Sequence, residues 1–165
     1  MRVVRSTSNS LPVARSQHGV AAIEFAVVFS VLFLGIYGLI SFGGVLYAQQ
    51  IVSRAAEEGA RAVQLARSGI SSDDLQQNAI TAVYQSLALS MIAPASVGTA
   101  PESKEIWLRS KMATTPPSVN LSAGEVAVTV TYPYSANPLL PALPFSSGWM
   151  PDHLFGKATV ARPSS

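Results

Sequence analysis

One carboxylate stands apart from the other acids of this chain. Glu24 sits five residues after Gly19, at the head of an apolar run, and no charged side chain follows it from Phe25 to Ser53. An acid in the middle of a bilayer costs about 2.5–3.5 kcal/mol, and less near the interface, so it calls for a partner. Cutting the chain after Gly19 would supply one: the new α-amino group of Val20, one helical turn from Glu24, within the subunit or in a neighbour. The alternative is an interfacial acid that reaches water and has no further role.

The other candidates for chemistry are weaker. Asp73-Asp74 has the look of a carboxylate pair, but two acids in the first turn of a helix are explained by the helix dipole. Asp152-His153 lies in a proline-rich stretch with no third partner and reads as a solvated loop pair. The only histidines are His18 and His153, and cysteine is absent. Disulfides, thiol nucleophiles and cysteine-held metals are therefore excluded, and there is no nucleophile elbow and no cluster spaced for a metal. The sequence gives no reason to expect an enzyme, a cofactor, a metal or a small-molecule substrate.

The elements around Glu24 explain its position. The chain has 165 residues, 48% of them hydrophobic and only 12% charged, about half the charge usual in globular domains. Before residue 20 come Arg2, Arg5 and Arg15 and no acid; from Arg54 onward eight basic residues meet eight acidic ones. Arginines ahead of an apolar helix are a topology signal that keeps the N-terminus cytoplasmic. No basic stripe with interleaved aromatics follows, so nucleic acid is not an expected partner.

Proline divides the rest. After Pro12 the next proline is Pro94, and the remaining prolines lie beyond it. A helical half followed by a strand-and-loop half is expected. Val20 to Val52 exceeds the roughly 20 residues needed to cross a bilayer; the transmembrane segment is expected from Phe25 to Ala48, the alternative being a buried globular helix. Gly35 and Gly38, with Gly44 and Ala48 four apart, are candidates for close helix packing, although glycine is also common in membrane helices at large. Past Tyr47-Ala48-Gln49-Gln50 the helical spacing continues. Ala48, Val52, Ala55, Gly59, Ala62 and Ala66 form a stripe of small side chains, with Arg54–Glu58 and Glu57–Arg61 as i,i+4 pairs on the other face. One helix to about Ala66 is predicted, leaving the membrane in its outer turns, with Gly69 near its C-cap.

A second helix should start at Ser72 as N-cap, present Ile80, Val83, Tyr84, Leu87 and Met91 as its apolar face, and stop before Pro94. In Glu125–Tyr132 the residues Val126, Val128, Val130 and Tyr132 alternate with Ala127, Thr129 and Thr131, a half-buried strand. Ile106–Met112 and Phe155–Arg162 are weaker strand candidates. About three short strands, with a hairpin after Gly124, would cover one face of a helix. Residues 133–151 should pack over the sheet edge, unless Leu139, Leu140, Leu143, Phe145 or Trp149 form an exposed contact surface. The fold class is α+β.

The run His18-Gly19-Val20-Ala21-Ala22-Ile23-Glu24-Phe25 resembles a type IV prepilin motif: a basic leader, glycine at the cut, glutamate at the fifth mature position, then the apolar helix. A narrower likeness follows. Glu24-Phe25-Ala26, Phe42-Gly43, Tyr47-Ala48-Gln49 and Glu58-Gly59-Ala60-Arg61-Ala62 resemble the pattern of TadE-like pseudopilins of the Flp/Tad pilus machinery. The likeness covers about 45 residues. It differs from the short major Flp pilins, which carry little after the helix and often have Glu-Tyr where this chain has Glu-Phe.

What the resemblance implies is definite. Gly19 would be the last leader residue, Val20 the first mature residue and Glu24 the acid that registers the subunit, with Phe25 completing the processing motif. The partners would be the membrane, a prepilin peptidase, other pseudopilins or pilins, and Tad components of the bacterial inner membrane. The expected domains are a cleaved leader over 1–19, a TadE-like helix over 20–67 and an exported α+β domain over 68–165. The competing expectation is an exported or anchored binding module with an ordinary signal, cut near Ser41-Phe42-Gly43. The apolar run is longer than the usual signal core of about 7–15 residues.

Overall fold

The computed structural model describes residues 18–66, 69–122, 124–141, 148 and 150–161. Arg2, Arg5 and Arg15 of the expected leader, the end of the third strand candidate at Arg162, and Leu143, Phe145 and Trp149 lie outside the described residues. Seven elements follow in order: α1 (His18–Gln64), α2 (Ser72–Leu89), a 3₁₀ turn (Ala95–Val97), α3 (Pro101–Lys111), β1 (Ser118–Ser122), β2 (Glu125–Tyr132) and β3 (Leu154–Ala161). The fold is α+β, as the sequence pattern predicts, with a long apolar N-terminal helix and a three-stranded antiparallel sheet. The chain divides into two compact units, one up to Leu39 and one from Ile40 to Ser165.

In the first unit α1 is exposed along almost its whole length. Its side chains are apolar on every side, which in a soluble helix would leave one face without a reason to be apolar. By length and composition this helix can cross a membrane.

In the second unit the outer part of α1 becomes a core element. Ala48, Val52, Ala55, Ala56, Ala60 and Val63 are buried. Small side chains are needed here because other backbone comes close. A Cβ placed on Gly59 would lie 2.6 Å from Val83 Cγ2 of α2 and 3.2 Å from Val128 Cγ1 of β2. The stripe expected from the sequence is buried at Ala48, Val52, Ala55 and Gly59 and half-buried at Ala62 and Ala66. Its i,i+4 charge pairs do not close: among the described residues the ion pair within 4 Å is Arg109–Glu105 of α3, at 2.7 Å. Exposed pairs of this kind are worth only about 0.3–0.5 kcal/mol, too little to hold two long side chains against their rotamer entropy. The helix ends at Gln64, and Gly69 stands beyond it at φ +93 rather than at its cap.

α2 begins at Ser72, where the sequence places its start, but its cap lies one residue earlier. Ser71, not Ser72, is the N-cap, and its side chain accepts from the Asp74 backbone N–H at 3.1 Å. Asp73 and Asp74 occupy the first turn as expected. Val83, Tyr84 and Leu87 are buried and Ile80 half-buried, whereas Met91 lies past the helix end and is 76% exposed.

The strand expected at Ile106–Met112 is instead α3. Its buried residue Leu108 and its buried C-cap Met112 are four apart, the spacing of a helix face. Pro101 at the first helical positions, Glu102 in the first turn and Arg109 and Lys111 in the last suit a helix at both ends. The third strand comes from Ser118–Ser122, between Pro117 and Gly124.

β2 is the central strand and pairs antiparallel with both neighbours, Val126 opposite Leu121 on one side and Val160 on the other. Val126, Val128, Val130 and Tyr132 all face the core. Gly124, at φ +91, begins the return from β1 to β2. From the loop after β2, Tyr134 is buried, and Leu139 and Met150 pack against the core.

Candidate functional site

Gly19, Val20, Glu24 and Phe25 all lie in the first two turns of α1. A Cβ on Gly19 would meet nothing, Val20 is 71% exposed, and Glu24 is exposed beside Phe25. Among the described residues no cation lies within ion-pair distance of Glu24. These four residues are brought together by sequence adjacency on one helix end.

The faces of the helix carry more information. Phe25, Phe29, Phe33 and Tyr37 stack in succession, with ring centroids 5.9, 6.2 and 6.2 Å apart. Four-residue steps drift by only about 40° each, so these rings cover one side of the span. Gly35 and Gly38 fall about three and four turns after Glu24, on its own side and roughly opposite the rings. Nothing within 4 Å would meet a Cβ at Gly35 or Gly38. The ladder is an i,i+4 aromatic series in the sequence, a signal beyond the length and glycine spacing of the apolar run. Ser30, between the faces, satisfies its hydroxyl on the Ala26 carbonyl at 2.7 Å.

Gly44 and Ala48, grouped with Gly35 and Gly38 by sequence spacing, have a different environment. Gly44 faces Leu140 Cδ1 at 3.7 Å and the Tyr134 hydroxyl at 3.9 Å from its Cβ position. Ala48 is fully buried in the second unit. Both are occupied by packing within the chain. The outer end of the expected span, Ser41 to Ala48, accordingly has one side against the folded unit and the other, at Phe42, Leu46 and Tyr47, exposed.

The remaining candidates do not assemble a reactive site. His153 is exposed and lies 6.2 Å from the Phe155 ring, while the Asp152 carbonyl accepts from the Ser135 backbone N–H at 3.3 Å. Asp74 is engaged with Ser71 at the cap of α2. Among the described residues there is no group of three or more metal-type ligands.

Among the described residues one apolar N-terminal helix is compatible with single-pass membrane anchoring, and an α+β unit follows it. Residues 19–61 match the family model for TadE-like proteins. The likeness seen at Glu24-Phe25-Ala26, Phe42-Gly43, Tyr47-Ala48-Gln49 and Glu58-Gly59-Ala60-Arg61-Ala62 is therefore that of a TadE-like segment, which suggests a part in Tad pilus assembly. No curated protein and no solved structure matches the chain.

Proposed function

We propose that this protein is a minor pseudopilin, a structural component of a Flp/Tad-type pilus or secretion apparatus, matured by a prepilin peptidase between Gly19 and Val20. The observation that carries the reading is a TadE-like match beginning at residue 19, at the glycine that the processing motif needs. In this reading 1–19 is the leader, 20–67 the anchoring helix and 68–165 the exported domain, held outside the bacterial inner membrane. The protein acts by assembly and catalyses nothing.

The physical arrangement supports each part. Gly19 lies in the first turn of α1, where helix is least secure and glycine lowers its stability by about a further 1 kcal/mol. A peptidase can open that turn to an extended strand. Release of Val20 then gives Glu24 a cation one turn away, in its own chain or in a neighbouring subunit. The side of α1 that carries Glu24, Gly35 and Gly38 admits a close neighbour helix, while the aromatic side suits lipid.

A second reading has an observation of its own. The folded unit begins at Ile40, just before Ser41-Phe42-Gly43, so a signal-type cut there would release nearly the whole unit as a binding module. The N-terminal residue of the mature protein from its native host decides. Val20 supports the pseudopilin reading, a start near Gly44 the released module, and an intact Met1 an unprocessed anchor.

A further inference from the structure

The second unit exposes apolar side chains where four separate elements meet around residues 42–50 of α1. α1 itself shows Phe42 at 65%, Leu46 at 48% and Tyr47 at 43% exposure. The end of α2 contributes Leu89, which lines a groove with Tyr47, Gln50 and Ile51. Met91 stands two residues further on, past the Ser90 cap, and both are 76% exposed. The start of β3 is tied to the same level by Gln49 Nε2, which donates to the Phe155 carbonyl at 2.7 Å, and Phe155 is 61% exposed. The loop after β2 reaches Gly44 through Leu140.

Two features say what covers this collar. The first is the charge pattern of α1: within the folded unit the helix stays uncharged from Ile40 to Ser53, and the first charge is Arg54. One side of this stretch is buried in the core, but on the outward side Phe42, Leu46 and Tyr47 stand where a helix entering water at the start of the fold would carry charge. The second is the mixture of side chains. Tyr47, Gln49, Gln50 and His153 offer hydrogen bonds among the apolar groups, and Lys111 shares a groove with His153. An amphipathic mixture of that kind belongs to a bilayer's headgroup layer more than to a dry protein interface.

We propose that this collar rests in the lipid headgroup layer, so that the folded unit is seated on the membrane surface with Leu89, Met91 and Phe155 against lipid. The proposal rests on the reading of α1 as a membrane anchor. It sets the water boundary of the helix near Arg54 and fixes the unit's orientation to the bilayer, which a single flexible tether would not do.

Because the chain has no cysteine, single-cysteine variants of the full chain can carry an environment-sensitive fluorophore in phosphatidylcholine–phosphatidylglycerol vesicles. Lipids brominated near the headgroup quench shallow probes, and lipids brominated near the acyl-chain ends quench deep ones. Leu89→Cys, Met91→Cys and Phe155→Cys should lose fluorescence with the first, and Leu32→Cys, in the span, with the second. Leu65→Cys, 77% exposed but just past the end of α1 and about 27 Å beyond Tyr47, should lose it with neither. Quenching at Leu32→Cys with none at the three collar positions overturns the seating and leaves the anchor standing. No quenching at Leu32→Cys overturns the anchor, and the seating with it.

Discussion

Gly156 of β3 lies flat against the backbone of Val52 in α1, so close that a methyl group there would collide with the Val52 carbonyl. The contact clamps the sheet to the helix, beside the hydrogen bond from Gln49 to the Phe155 carbonyl. It also explains why strand β3 runs Leu-Phe-Gly rather than a continuous series of β-branched residues.

Gly156→Ala should therefore cost about 3 kcal/mol or more, because the clash is with main chain and no rotamer change relieves it. Gly124→Ala makes a useful contrast. Its φ of +91 strains an alanine by about 1–2 kcal/mol, but the space around it is open. Denaturant unfolding of the full chain in detergent, followed by circular dichroism, should rank Gly156→Ala as the more damaging.

The cap of α2 gives a second test at adjacent residues of the same type. Ser71→Ala removes the acceptor for the Asp74 N–H and should destabilise by about 1 kcal/mol. Ser72→Ala, at the first helical position, should change the unfolding midpoint little. Equal losses at the two positions would contradict the cap geometry.

This one-residue displacement shows how far local signals reach. Both serines precede Asp73-Asp74, and only backbone dihedrals select Ser71, which is extended at φ -61, ψ 153. The long helix and β2 were legible because each repeats one period many times: an uncharged run for α1, strict alternation for β2. α3 was misread as a strand because Ile106, Leu108 and Met112 also satisfy a period of two. Ile106 proves 70% exposed, and the helix is decided by its ends and by the Arg109–Glu105 pair. β1 escaped notice because Val119 and Leu121 are its only large apolar residues, and its identity comes from pairing with β2. Of the proposed site, the processing residues were legible as a motif. The separation of Gly44 and Ala48 from Gly35 and Gly38 was not, since it depends on which turns the folded unit covers.

Alkaline pH should weaken the second unit before acid does anything comparable through these residues. Burial raises the phenol pKa of Tyr132, with the neighbouring Tyr134 adding to the rise, well above its ordinary value near 10. Burial likewise raises Tyr134 and Tyr84, opposed in part by a backbone hydrogen bond with Leu139 and by Arg109, respectively. The unfolded chain releases these protons first. The stabilisation is thus complete below about pH 10 and is lost progressively as pH climbs from there toward the folded-state values. Unfolding midpoints should be flat in this respect at neutral pH and fall above about pH 10. Tyr132→Phe gives up the hydroxyl bond to the Asn137 carbonyl, a neutral-pH cost of about 1 kcal/mol, and should make the alkaline decline shallower.

The proposed maturation separates into two steps that different residues should control. Gly19→Leu places a bulky side chain at the cut and strengthens the first turn of α1, so processing should be blocked and the protein should accumulate with its leader attached. Glu24→Gln keeps size and hydrogen bonding but removes the charge. Membrane insertion should be unaffected, because an amide is no costlier in lipid than a carboxylate. Cleavage between Gly19 and Val20 should also proceed, since the scissile bond and its glycine are intact. What should fail is the subunit's association with its neighbours, because the new amine on Val20 then has no carboxylate to meet. N-terminal sequencing reads the first step, and crosslinking between subunits in native membranes reads the second. Normal maturation of Gly19→Leu would count against the cut site, and wild-type crosslinking of a cleaved Glu24→Gln would count against registration by charge.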